Sequence, residues 1–248
     1  MAGNNPYWNF ERLMEFEDDI GVRSTFFFMD ERGKFNPLRP RTFTLYRGRY
    51  TLDDPKIQHV IRHLEAGGWE IGLHGSYRSF NDESLLGTEK GRLETILGHP
   101  VLGVRQHYLR LRVPQTWQIH ARLGFAYDSS LGYTRRIGYR AGTSRPFYPV
   151  DPTTRKPIMV LEVPLTVMDR PLMEMARPQE QVWRCIEKAR GEGGVLTLNW
   201  HQCLFNPWEP EDYPAMYAQI IRECQRLGAW IASIGEICAR WRTARQMR

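Results

Sequence analysis

Cysteine is scarce. The 248 residues contain four, Cys185, Cys203, Cys224 and Cys238, with no C-x-x-C pair. That excludes a disulfide mini-scaffold and favours free thiols. Long uncharged runs are also missing: no stretch approaches the roughly 18 apolar residues of a membrane-spanning helix. Met1 to Pro6 is too short and polar for a signal peptide, so a cytoplasmic location is expected. There is no linker, low-complexity tract or repeat period, which excludes a solenoid and leaves one domain over residues 1–248 as the expectation. The net charge of +6 is not concentrated, apart from Arg240, Arg242, Arg245 and Arg248. With no zinc finger, helix-turn-helix or RNP-type segment, nucleic acid is not an expected partner.

What is present is an ordinary globular composition, 42% hydrophobic and 25% charged, on a chain long enough for a full core. Apolar residues at helical spacing from Phe10 to Ile20 lead through Gly21 into the run Val22 to Met29. The unit repeats, with a helix over Ile57 to Leu64, a break at Gly67 and Gly68, and a strand over Trp69 to His74. Further helices are predicted over Asp82 to Leu97, Gln115 to Leu123, Gln179 to Arg190, Tyr213 to Leu227 and Ile234 to Arg242. Strands are predicted over Leu102 to Arg105, Phe125 to Asp128, Ile158 to Val167, Val195 to Trp200 and Trp230 to Ala232. Such alternation implies parallel strands with helical crossovers. The expected fold is α/β, a distorted or incomplete β/α (TIM-like) barrel of about seven parallel strands, with an open doubly wound sheet as the alternative. The long loop from Asp30 to Asp54 suits a lid or a mobile segment.

In parallel β/α folds the groups that do chemistry stand at the C-terminal ends of strands. Those positions hold Asp30, His74, Arg105 with His107 just beyond it, Asp128, Asp169 and His201. His59, His63, His99 and His120 fall on helices or turns and read as surface or packing residues. Imidazole is both a common metal ligand and the usual proton carrier near neutral pH, so His74, His107 and His201 suit a metal site with a separate acid. Tyr77, Tyr108, Trp200 and Trp208 offer faces for sugar rings, or simply fill the barrel mouth.

Several of these segments resemble the polysaccharide deacetylases, the family 4 carbohydrate esterases. G-V-R-S-T-F-F-F at Gly21 to Phe28 is similar to that family's second strand. G-G-W-E-I-G-L-H-G-S-Y at Gly67 to Tyr77 resembles its histidine motif, and G-V-R-Q-H-Y at Gly103 to Tyr108 its arginine motif. Y-D-S-S at Tyr127 to Ser130 and L-T-L-N-W-H at Leu196 to His201 resemble its fourth and last motifs. The resemblance covers most of the chain in order and spacing. It implies a carbohydrate substrate and a divalent metal, usually zinc, that polarises an acetamide carbonyl and activates water, with an Asp as base and a His as acid. By position it makes His74 a metal ligand, Arg105 an orienter of the base, Asp128 a partner tuning the acid, and His201 the general acid. His107 is a candidate replacement ligand, and Asp169 a candidate carboxylate.

Two departures bear on the chemistry. Arg78 stands where the family has its second histidine ligand, and a guanidinium is not an ordinary metal ligand. The family's opening strand, ending in two aspartates, would precede the helix at Phe10, so this chain is expected to start too late to contain it and to leave one side of the Val22 strand unpaired. Asp18 and Asp19 lie in the helix and do not replace that pair. Three readings therefore stand open: an active deacetylase-type hydrolase, a catalytically silent glycan-binding protein, and a metal-free scaffold or oligomer subunit with buried pairs such as Arg105 with Asp128.

Overall fold

Between Thr25 and Asp128 four short apolar runs alternate with three amphipathic helices, and this alternation builds a parallel sheet. The computed structural model describes residues 8–34, 36–38, 50–206 and 212–246. It divides into two compact units, one of Thr25–Ser130 and Phe147–Glu162, the other of Met1–Ser24, Leu131–Pro146 and Val163–Arg248.

The first unit carries strands β1 (Thr25–Phe28), β2 (Glu70–Gly75), β3 (Gly103–Gln106), β4 (Tyr127–Asp128) and β5 (Leu161–Glu162), in that spatial order and all parallel. The crossovers are α2 (Pro55–Ala66), α3 (Glu83–Leu97) and α4 (Gln115–Arg122). Their ends follow local chemistry. Asp54 caps α2 through the Lys56 amide at 2.9 Å, with Pro55 at the first helical position, and Asp82 caps α3 through the Leu85 amide at 3.0 Å. The helices turn Ile57, Val60, Ile61 and Leu64, then Leu86, Leu93 and Ile96, inward.

Strand alternation sorts the sheet residues onto two faces. The registers Phe27↔Gly72, His74↔Arg105 and Gly103↔Tyr127 place these six residues on one face. Leu73↔Val104 and Val104↔Asp128 belong to the other, which the helices cover. Glycine on the first face makes room for its neighbours. A Cβ on Gly72 would lie 2.6 Å from the Phe27 ring, and one on Gly103 2.0 Å from Cζ of Tyr127. At the N-terminal end of the strands Glu70 accepts from the Thr25 hydroxyl at 2.6 Å and the Tyr127 hydroxyl at 2.8 Å.

The second unit holds α1 (Phe10–Asp19), the parallel pair β6 (Val167–Met168) and β7 (Leu198–Asn199), then α5 (Asp169–Met173), α6 (Pro178–Glu192), α7 (Asp212–Arg226) and α8 (Ile234–Gln246). Val167, Leu172, Val182, Ile186, Met216 and Ile220 form its core. Buried Glu17 accepts from the Tyr217 hydroxyl at 2.7 Å and the Ser24 amide at 3.1 Å, which ties α1 to α7.

Seven strands form among the described residues, but two of the expected strands differ. The predicted strand Ile158 to Val167 is two pieces in different sheets, because Pro164 has no N–H to give a ladder. Trp230 to Ala232 is not a strand. It is a short link between Gly228, at φ +77°, and a capping box in which the Ser233 amide donates to Glu236 at 2.8 Å and the Ser233 hydroxyl accepts from the Glu236 amide. The centre of the Asp30–Asp54 loop lies outside the described residues. All four cysteines are free thiols.

Candidate functional site

His74, near the end of β2, and His107, one residue past β3, come together because their strands are neighbours in register. His74 Nδ1 is 2.9 Å from the Arg105 carbonyl, which can only accept, so Nδ1 carries the proton. Nε2 of His74 is then the lone-pair nitrogen, and it accepts a hydrogen bond from Nδ1–H of His107 at 3.0 Å. The rings meet edge to face, with centroids 5.1 Å apart.

Arg105 stands beside them on the same face, buried. Its Nε donates to the Ser129 carbonyl at 3.0 Å and a terminal nitrogen to the Ser129 hydroxyl at 3.1 Å, while the guanidinium lies 4.4 Å from the centre of the Phe27 ring. Burial pulls its pKa down to about 10, against the opposing pull of Tyr127, Asp128 and Glu162. It therefore remains a cation at neutral pH.

Asp128 and Asp30 turn the other way, towards the helices. Asp128 Oδ2 lies 3.4 Å from Nδ1 of His120 on α4, a close electrostatic contact without hydrogen-bond alignment, and Oδ1 accepts from Ser130. His120 Nε2 accepts from the Gln106 amide at 2.9 Å, and the Gln106 backbone N–H donates to the Ser130 hydroxyl at 2.9 Å. These side chains are fully buried. Asp30 accepts from Arg92 at 2.7 Å, Arg32 at 2.9 Å and the Leu52 amide at 3.0 Å. Burial raises its pKa, but those bonds outweigh burial and hold the carboxyl below its ordinary value. It is an anchor for the loop after β1, committed on the helix face, and lends no carboxylate to His74.

The second unit holds a dyad of its own. Asp169, at the end of β6 and buried, accepts from His201 Nδ1 at 2.8 Å and from the His201 amide at 2.5 Å. His201 follows β7, and its side chain is 47% exposed. With Nδ1–H held on the carboxylate, Nε2 is the ring atom left to exchange a proton with solvent or substrate, as in other Asp–His pairs.

No family sequence model and no curated protein matches the chain. Solved structures do. A protein from Mycobacterium smegmatis named a polysaccharide deacetylase aligns over 97% of this chain and 79% of its own, with 20% identity and a TM-score of 0.65. One from Pseudomonas aeruginosa PAO1, also named a polysaccharide deacetylase, aligns over 94% and 72%, with 15% identity and a TM-score of 0.61. This chain has the polysaccharide deacetylase fold. The same fold matches the PuuE allantoinase over 94% of this chain and 72% of that one, with 16% identity and a TM-score of 0.58. The polysaccharide deacetylase fold thus hosts more than one named activity, and the side chains must argue the rest.

On this fold, a metal would find two nitrogen donors in His74 and His107 by taking the place of the proton they share. The tautomer of His74 is locked by an outer hydrogen bond, as metal-ligating histidines usually are, and the donor chemistry suits zinc. Among the described residues no group of three or more His, Cys, Asp or Glu is arranged around one point, so the pair supplies two donors where a catalytic zinc usually takes three from the protein.

Sequence reasoning missed the role of His120, which it read as an ordinary helix residue. Its spacing from Thr116 and Trp117, one turn earlier on the same buried face, was the available signal. It also passed over Gln106 and Glu89, since neither stands in a recognisable motif. Tyr77 and Tyr108 pack edge to face 5.9 Å apart beside His107, whereas Trp200 packs on Tyr217. Trp208 lies outside the described residues.

Proposed function

We propose that the protein is a metal-dependent hydrolase that removes an acetyl group from the nitrogen of an N-acetylated sugar or polysaccharide. The observation that carries this reading is the convergence of the His74 and His107 nitrogens at the C-terminal end of a parallel sheet of this fold. In this reading the two histidines hold a divalent metal, zinc by donor chemistry, which when bound polarises the amide carbonyl and acidifies water. Arg105, a buried cation fixed by Ser129 and Phe27, supplies permanent positive charge on the same face. His201 carries the proton that the leaving amine needs, with Asp169 orienting its ring. Asp128, through its contact with His120, positions the strands behind the histidines.

The test is metal content by mass spectrometry for the wild type and His74→Ala, beside acetate release from an N-acetylglucosamine oligomer. One zinc per chain is expected, lost in His74→Ala together with acetate release. His201→Ala is expected to keep the metal and lose roughly 100-fold in turnover. A chain without metal and without acetate release would overturn the proposal. The donor count favours a second reading, a catalytically silent glycan-binding protein. In that case the same oligomers raise the melting temperature without releasing acetate.

A further inference from the structure

The loops after β2 and β3 continue past the histidines into a cavity of about 590 Å³, lined by Tyr77, Arg78, Phe80 and Arg110 and by Asp82 and Glu83 at the start of α3. An unbroken run of ring contacts leads there from the imidazole pair. His107 touches Tyr108 at 4.4 Å between centroids, and Tyr108 touches Tyr77 at 5.9 Å. Tyr77 in turn covers the Arg110 guanidinium at 4.0 Å, with Phe80 on it at 3.9 Å.

Arg110 spends one N–H on the Tyr77 carbonyl. A guanidinium has five N–H donors in a planar fork, so its edge can still meet a carboxylate or phosphate. Arg78 is exposed and, among the described residues, has no ion-pair or hydrogen-bond partner. The two acids are already committed. Asp82 caps α3, and Glu83 takes a fork from Arg122 at 2.8 and 2.9 Å, which holds its carboxyl below the usual range. Arg122 offsets Glu83, so Arg78 and Arg110 face one uncompensated carboxylate, Asp82, and the charge balance around the cavity is positive. The backbone also carries a mark of function. Tyr108 and Leu109, neither of them glycine, sit at φ +56° and +51°, a conformation costing on the order of 1 kcal/mol or more per residue, and one that leaves the Tyr108 ring half exposed beside His107.

We infer that this cavity is a subsite for an anionic group, a carboxylate or phosphate carried on a sugar ring, with Arg78 and Arg110 binding the charge and the half-exposed Tyr108, outside the lining but packed on Tyr77, stacking the ring. The inference deepens the hydrolase reading and rests on it for the position of the subsite next to the reacting bond.

The test is isothermal titration of the full chain at pH 7.5 with D-glucuronate, D-glucose 6-phosphate and D-glucose, for the wild type and Arg78→Gln. Arg78 is exposed, so the variant is expected to melt like the wild type. At least one acid should bind about 10-fold more tightly than glucose, weaken in high salt, and lose about 10-fold in Arg78→Gln, with glucose unchanged. The ranking of the two acids tells carboxylate from phosphate. Equal binding of acids and glucose, no binding of either acid, or equal acid binding by both proteins would overturn the inference. Arg78-dependent acid binding in a chain that releases no acetate defeats the hydrolase reading alone. Acetate release with charge-blind binding defeats the subsite alone.

Discussion

Glu89→Gln is the most informative single substitution for the polar packing behind the histidine loop. Glu89 lies on α3 with 1% of its surface exposed, and Oε2 accepts from the Ser76 amide at 3.1 Å, two residues beyond His74. Oε1 has no partner among the described residues. Burial raises the pKa from 4.5 to about 7, with Glu31 adding to the rise and Ser76 and Ser79 opposing it. The folded state therefore binds this proton more tightly than the unfolded chain does. Stability contributed by the neutral carboxyl is fully present below the ordinary Glu range, declines as pH rises from there to about 7, and is level above. With one pKa unit worth 1.36 kcal/mol, the wild type should lose about 2.5 kcal/mol between pH 5 and pH 8 through this group. In a chain of this size that corresponds to roughly 5–10 °C in melting temperature. Gln keeps the shape and the acceptor for the Ser76 amide and cannot ionise. Urea unfolding followed by tryptophan fluorescence should therefore show a declining curve for the wild type, a flatter one for Glu89→Gln, and the variant more stable at pH 8. Parallel curves from pH 5 to pH 8 would refute the reasoning.

Two further substitutions probe the sheet. Gly103→Ala would set a methyl group against the Tyr127 ring, so β3 or β4 must shift, at a cost of about 2–3 kcal/mol in the urea midpoint; an unchanged midpoint would show that the ring moves freely. His120→Ala leaves Asp128 and the Gln106 amide buried without their imidazole and should cost about 3 kcal/mol. If the proposed metal is bound, its content in the folded fraction should stay unchanged, because His74 and His107 stand on the opposite face; loss of metal would place His120 in the site.

Much of the fold was legible along the chain. Asp54 with Pro55, Asp82, Gly98 and Gly124 mark helix ends by local chemistry, and the apolar periods between them identify strands and helices without any distant contact. The strands were placed to within a few residues, except where a proline divided one and a capping box replaced another. Of the candidate residues, the strand-end positions were legible: His74, Arg105, His107, Asp128, Asp169 and His201 all stand at or just past strand ends. Their partners were not.

Local residue order settled which segments become strands, where the helices stop, and that polar residues gather at the strand ends, because caps, breakers and hydrophobic periods act over a few residues. The pairing of those residues came from the packed molecule. Arg105 and Asp128 have similar addresses in the sequence, yet strand register turns one beside His74 and the other towards His120 on α4. Which lone pair His74 presents depends on a carbonyl 31 residues away, and the Asp169–His201 contact spans 32. Side-chain alternation fixes two faces for every strand, but only the register of its neighbours and the helices laid over it decide which groups share a face.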